Sequence, residues 1–463
     1  MPRAFASLAL FMPAGGAALA GLTAASGRLL TALLVATAPA AVLVVVHAFA
    51  RVGRLPFESK LAILAWVSLL FATFVWRVRT TTDLNENPLD TAGLARVALV
   101  LLAGSASFAW VVRPGRLPRI PWPGRWFAAY VVAAMLAGIV SPQPQQALYR
   151  ATELAVCFLA VLLALSHASS SPPAAIVGTL RTSLAALVTV VWVEAFLVPW
   201  RAWVDTPGVF PRTLHGVFPT LSSNTVGTLG GLLAILALSE TAYRKHHFPR
   251  ALVLLGLMTL AAAQYRTGIL GFLVAGTFLL WRQRRFAVMA ALAITTVAIG
   301  LGGAWTTSVD RSKTAFAKGR PEQLETLDSR TLYWQESAAF IRERPLMGWG
   351  LNVGSRRVLA GVATETTSTV HGTWVEALLG TGFVGASLLA LSVLSALRQA
   401  WRARLHVAGP AAFAGLVFLV VRSLTGTTVE LFGLNLLVFL GFIVLLDRLT
   451  NDSDPRARER LAT

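Results

Sequence analysis

Stretches of about 20 mostly apolar residues recur from one end of this chain to the other, and that recurrence decides most of what the chain can fold into. As a helix rising 1.5 Å per residue, each such stretch is long enough to cross the hydrocarbon core of a bilayer. Some fourteen of them begin near residues 7, 29, 61, 95, 126, 151, 175, 220, 251, 266, 286, 373, 408 and 429. The first has part of the pattern of a signal peptide, with Arg3 ahead of a Gly/Ala-rich run, but an apolar run resumes at Leu29 and favours an anchored helix. Charged residues make up 13% of the chain against 56% apolar ones, about half the charged share of a soluble protein, which excludes a large soluble enzyme. The expected fold is all-α, a polytopic membrane helix bundle of about 12–14 transmembrane helices.

The net charge of +19 does not imply nucleic acid, because the basic residues fall in short clusters between apolar runs, where they orient helices in a membrane. The lone cysteine, Cys157, excludes an intrachain disulfide and a cysteine-rich zinc site. Basic loops face the cytoplasm. They are Arg51, Arg54 and Lys60; Arg113, Arg116, Arg119 and Arg125; Arg244, Lys245 and Arg250; Arg282, Arg284 and Arg285; Arg398, Arg402 and Arg404; and the tail from Arg448 to Arg460. Placing all of them on one side forces the segment between Arg250 and Arg282 to cross twice, as two shortened helices meeting near Gln264, Tyr265 and Arg266. The same parity puts the 79–94, 201–219 and 305–372 segments outside. The organisation is then N-terminal transmembrane helices over 1–204, central ones over 205–304, one large extracytoplasmic loop containing short helices over 305–372, C-terminal helices over 373–447 and a cytoplasmic tail over 448–463. Within the large loop, Asp328 or Ser329 can cap a helix running through Trp334 and Phe340 and stopped by Pro345.

Ionisable groups in apolar spans cost a few kcal/mol each, so their depth points to function. Glu153, Glu194, Glu376, Glu430, Arg266 and Arg422 all fall toward the outer ends of their spans, where Arg150, Arg212, His215, Arg330 and His371 join them. Arg181 lies nearer the inner end and can snorkel. A helix-end arginine such as Arg150 or Arg212 is either a headgroup anchor or a ligand, and the glutamates are either ion-pair partners or catalysts. Arg266, at the junction of two short apolar helices, has no ordinary anchoring explanation. Several arginines with one or two histidines suit a diphosphate, since guanidinium forks match phosphate oxygens and stay charged. Histidine can serve as a general base. No Asp/His set has metal-ligand spacing.

Ser329-Arg330-Thr331 through Trp334, Arg344-Pro345-Leu346-Met347-Gly348-Trp349-Gly350, His371-Gly372-Thr373-Trp374-Val375-Glu376 and Gly380-Thr381-Gly382-Phe383-Val384-Gly385 stand in an order that resembles the O-antigen ligase and O-antigen polymerase superfamily, whose signature region is called Wzy_C. Upstream, Gln264-Tyr265-Arg266-Thr267-Gly268 and the segment from Phe218 to Asn224 resemble two further pieces, so the likeness runs over roughly 205–390. The chain departs from the pattern at Gly372, where Asn commonly follows the His, and at Ser223, where Pro often precedes Asn224. The resemblance implies an integral membrane glycosyltransferase of the bacterial inner membrane, working on the extracytoplasmic face without a metal or other cofactor. Its donor would be a polyprenyl (undecaprenyl) diphosphate glycan, and its acceptor a hydroxyl of a glycan, lipid or protein.

Carried over by position, the resemblance makes His371 the catalytic or donor-orienting residue and Arg266 a diphosphate ligand. Arg212, Arg150 and Arg330 are further phosphate candidates, and His215, Asn224, Glu376 and Arg422 further polar pocket candidates. The alternative is a non-enzymatic transporter or flippase of a lipid-linked anionic glycan, which would place its charged contacts near the membrane midplane.

Overall fold

The computed structural model describes residues 57–73, 91–112, 120–166, 173–206, 211–241, 247–285, 330–362 and 369–452. These form helices α1 (Phe57–Ala72), α2 (Thr91–Val111), α3 (Trp122–Ile139), α4 (Pro144–Ser166), α5 (Pro173–Leu197), the single turn α6 (Pro199–Ala202), α7 (Ser223–Glu240), α8 (His247–Ala262), α9 (Arg266–Arg282), α10 (Arg330–Glu343), α11 (Val353–Val362), α12 (Thr373–Ala403), α13 (Gly409–Ser423) and α14 (Leu434–Asp452). An antiparallel ribbon of β1 (Trp203–Asp205) and β2 (Arg212–Leu214) pairs Trp203 with Leu214 and Asp205 with Arg212. An all-α reading misses this ribbon, because three-residue strands are too short to show an alternating pattern.

Among the described helices, Gly93–Val111, Pro144–Leu165, Pro173–Leu197 and Thr373–Ala403 are long and apolar enough to cross a membrane, with Phe248–Ala262 and Gly409–Ser423 shorter apolar helices. This is fewer than the 12–14 expected. Spans beginning near 7, 29 and 286, the cap at Asp328 or Ser329, and the loop segments 79–90 and 305–329 lie outside the described residues. The last span starts at Leu434 rather than near 429, and Glu430 sits in a turn-rich connection instead of a helix. Leu431 and Phe432 lend that connection the hydropathy of a helix, but its backbone is satisfied by buried side chains described below. The span expected from 151 begins at Pro144, so Arg150 and Glu153 lie inside α4.

The outward faces carry a row of exposed large apolar side chains, among them Leu101, Phe108, Phe196, Leu254, Leu270 and Leu394. A surface of this kind is stable against lipid and not against water. Inside, Phe127 of α3 meets Phe158 of α4 and Phe439 of α14, with ring centroids 5.6 and 6.3 Å apart. Helices α7 and α8 cross backbone to backbone: a Cβ on Gly230 would lie 2.6 Å from the Gly256 carbonyl oxygen, and one on Gly256 the same distance from that of Gly230. Small residues permit such an approach in lipid, where dispersion contacts drive helix association.

The chain breaks between α8 and α9 at the expected place, with Gln264 at φ 48° and Arg266 opening α9. A second break lies within α12, where Gly382 takes φ 63° and ψ −167°. The 345–350 segment docks there. Phe383 N donates to Pro345 O at 2.7 Å, Trp349 N to Leu379 O at 2.8 Å, and Gly350 N to Gly380 O at 2.9 Å. Backbone groups freed by the kink are thereby satisfied. On the other side of the segment, Ser141 Oγ donates to Trp349 O at 2.6 Å and Arg344 Nη1 to Val140 O at 3.1 Å, joining it to the α3–α4 turn. Helices α10 and α11 rest on α12 through a small core of Tyr333, Val358, Leu359, Val370 and Leu379.

Candidate functional site

The 424–433 connection between α13 and α14 is the hub of one end of the bundle. Arg422, in the last turn of α13, donates from Nε to Thr228 Oγ1 of α7 at 2.9 Å, from Nη1 to Thr428 Oγ1 at 2.8 Å, and also to the Thr427 carbonyl. With its amide oxygen turned toward the guanidinium, Asn435 accepts two more bonds, at 3.1 and 3.3 Å. Glu430 accepts from the backbone N–H groups of Thr428 and Val429, both at 2.9 Å, while Tyr130 Oη donates to its carbonyl at 2.8 Å. Arg422 is 7% exposed and its guanidinium is held by four protein acceptors, so it fixes the connection.

Two helix starts attach to this hub. Thr267, in the first turn of α9, shares a 2.8 Å hydrogen bond with Thr425, and Thr373, first in α12, donates to Gly426 O at 3.0 Å. Arg266 immediately precedes Thr267, and His371 stands two residues before Thr373, so both flank the Thr425–Gly426 pair. His371 takes φ 52° and Gly372 φ 131°. The first is a left-handed conformation uncommon for a non-glycine residue, and the second is a conformation that a side chain rarely adopts. Trp334 Nε1 donates to the His371 carbonyl at 2.7 Å, and Glu376 reaches back to accept from Val370 N at 2.6 Å and from Ser355 Oγ. The strained turn is thus clamped from α10, α11 and α12. Glycine at 372 has a local cause in that φ, which asparagine would not share.

The start of α7 closes the group. Ser222 Oγ caps it by accepting from Thr225 N at 3.3 Å, and Thr228 Oγ1 donates to Asn224 O at 2.7 Å, leaving the half-buried Asn224 beside the hub. A Cβ on Gly227 would strike the Tyr265 side chain, so the first turns of α7 and α9 abut. Neither Tyr265 before α9 nor Gly372 before α12 caps its helix with a side chain. Helix N-termini carry partial positive charge and unbonded N–H groups, which favour an anion.

The ribbon lies beside this junction. Gln264 Nε2 donates to Arg212 O at 3.0 Å, while the exposed Arg212 side chain pairs with Asp205 at 2.8 Å. His215 Nε2 lies 3.2 Å from Thr213 Oγ1, and its backbone N donates to Ala202 O at 2.8 Å. Glu194, near the end of α5, accepts from Val217 N at 2.8 Å and Phe218 N at 2.7 Å, holding the turn that follows His215.

Arg150 belongs to a cluster that touches the 424–433 connection through Arg96, whose guanidinium lies 5.3 Å from the Phe432 ring centroid. Glu153 accepts from Arg150 Nη1 at 2.7 Å, Arg96 Nε at 2.8 Å and Tyr149 Oη at 2.8 Å, so two guanidinium groups share one carboxylate. Arg356 of α11 donates to Gln146 Oε1 at 3.0 Å; burial and the nearby Arg150 charge lower its pKa to about 10, and it remains a cation at neutral pH. Arg344 and Arg357 stack over the Trp349 ring, 4.3 and 4.5 Å from its centroid. Arg330 is the first residue of α10, and its side chain lies outside the described part. Sequence reasoning did not single out Arg96, Arg356 or Thr425, which depend on pairings across more than 50 residues. Arg181, expected to snorkel, pairs instead with Glu240 of α7. Trp374 lines a small apolar cavity with Leu416, Leu419, Val420 and Phe439. Among the described residues, no group of three or more His, Cys, Asp or Glu could hold a metal ion.

An apolar helix bundle with exposed apolar flanks defines an integral membrane protein. The family model described as O-antigen ligase, Wzy_C, matches residues 251–390, from α8 to the middle of α12. Over those 140 of its 463 residues the chain is similar to the O-antigen ligase family. No curated protein matches the chain. Arg266, Arg330, His371 and Glu376 fall within the matched segment, and Arg150, Arg212, His215, Asn224 and Arg422 outside it.

Proposed function

We propose that the protein is a bacterial inner-membrane glycosyltransferase that moves a glycan from a polyprenyl diphosphate to an acceptor hydroxyl, in ligation or polymerisation of a cell-surface polysaccharide. The observation that supports this reading is that two helix starts attach to Thr425–Gly426: α9, which opens with Arg266, through Thr267, and α12, which follows His371, through Thr373. In this scheme the acceptor oxygen attacks the anomeric carbon, and the bond from that carbon to the phosphate oxygen breaks. The lipid diphosphate leaves with the electron pair. His371 takes the acceptor proton, and Arg266 with the N–H groups opening α9 stabilises charge growing on the leaving group. Arg212 supports the same anion from the ribbon. Arg422 and Glu376 hold the frame. The candidate residues Arg266, His371 and Asn224 stand at helix starts and not at mid-depth, which favours transfer over transport.

The test compares Arg266→Ala, Arg266→Lys and His371→Ala in purified protein supplied with lipid-linked glycan and acceptor. Loss of the Arg266 guanidinium is expected to lower turnover by about 10²- to 10³-fold, with partial recovery in the lysine variant, and loss of the imidazole by about 10²- to 10⁴-fold. Unchanged transfer in properly folded variants rejects the mechanism.

A further inference from the structure

At the opposite end of the bundle, the structure contains a second cationic site. A cleft of about 380 Å³ opens between the ends of α7 and α9 and the α12–α13 connection, lined by Ser239, Thr241, Leu279, Arg282, Gln283, Arg285, Leu405, His406, Val407 and Pro410. It lies a full helix length from the hub, because Asn224 and Arg266 stand at the other ends of α7 and α9. Its floor is built rather than accidental. Gln283 Nε2 donates to Leu238 O at 2.8 Å and its Oε1 accepts from Thr241 Oγ1 at 3.4 Å, stitching the ends of α7 and α9 together. Among the described residues, the lining holds two arginines and no carboxylate. Glu240, next to Ser239, is buried and paired with Arg181. The mouth is apolar, with Leu405 69% and Val407 64% exposed.

Two guanidinium groups and hydroxyls in a cleft with an apolar lip, set at the end of a membrane bundle, match a molecule that is anionic at one end and apolar at the other. We infer that this cleft binds the phosphate of an anionic phospholipid, with Arg282 and Arg285 on the phosphate oxygens and Leu405 and Val407 against the acyl chains. Basic pockets between membrane helices bind lipid headgroups by this chemistry. The site is independent of glycan transfer and shares no residue with the rim around Arg266 and His371.

Native mass spectrometry of the full-length protein in neutral detergent tests the inference, with phosphatidylglycerol, phosphatidylcholine and inorganic phosphate as probes. Phosphatidylglycerol is expected to bind in preference to phosphatidylcholine, and Arg282→Ala with Arg285→Ala to weaken it by roughly twenty- to thirty-fold, at about fivefold per arginine. Val407→Glu, an exposed charge at the mouth, is expected to weaken it without disturbing α9. Arg402→Ala, an exposed arginine outside the cleft, is expected to leave binding unchanged. Absence of a phosphatidylglycerol preference overturns the site. So does an equal loss in Arg402→Ala, which indicates diffuse charge, or displacement of the lipid by inorganic phosphate at matched concentration, which indicates a site for a soluble anion.

Discussion

Four buried glutamates show how this chain uses charge inside an apolar bundle. Glu194, Glu376 and Glu430 accept from backbone N–H groups, and Glu153 gathers two arginines and a tyrosine. Each satisfies groups that lipid cannot solvate. Glu194→Ala is expected to destabilise the protein by about 2–4 kcal/mol, because the N–H groups of Val217 and Phe218 lose their acceptors, while Glu194→Gln retains an acceptor and costs less. Thermal unfolding in detergent measures the difference. The sequence placed these carboxylates toward one end of the helices from hydropathy alone. It gave no sign that Glu194 clasps a turn 23 residues away, since such a pairing leaves no local pattern.

At the scale of elements, two glycine-rich motifs that looked separate are one unit. The 345–350 segment fills the break in α12 at Gly382, and a Cβ on Gly348 would lie 2.7 Å from Gly382 N. Gly382→Ala is therefore expected to expel the segment, through the left-handed φ and a clash with the Leu346 carbonyl. Limited proteolysis should then cut between α10 and α11 while circular dichroism keeps its helical signal; continued protection of that segment would show that the kink tolerates a side chain. The α8–α9 break was legible because charge parity demanded two crossings from about thirty residues. The 424–433 connection was not, because its apolar residues imitate a helix and the polar side chains that replace the helical bonds come from α7, α13 and its own turn.

For the whole molecule, basic clusters predict that the ribbon and the α9 terminus lie on opposite sides of the membrane. Cys157 is buried and is the chain's single cysteine, so a Cys157→Ser background leaves no competing thiol. In intact cells, Asp205→Cys should react with a membrane-impermeant maleimide, whereas Arg284→Cys should react only after permeabilisation. Labelling of both from outside contradicts the topology.

Hydropathy and charge placement belong to the sequence, because a bilayer sorts residues by solvation and that sorting is read residue by residue. They determined the helical membrane class and the helix break beside Arg266. Only the tertiary structure decided that Arg422 ties α13 to α7 and to its own connection, and which side chains meet at Thr425–Gly426. Those outcomes depend on hydrogen bonds between segments more than a hundred residues apart, as between Thr228 and Arg422 or Thr267 and Thr425, and distance along the chain carries no trace of them.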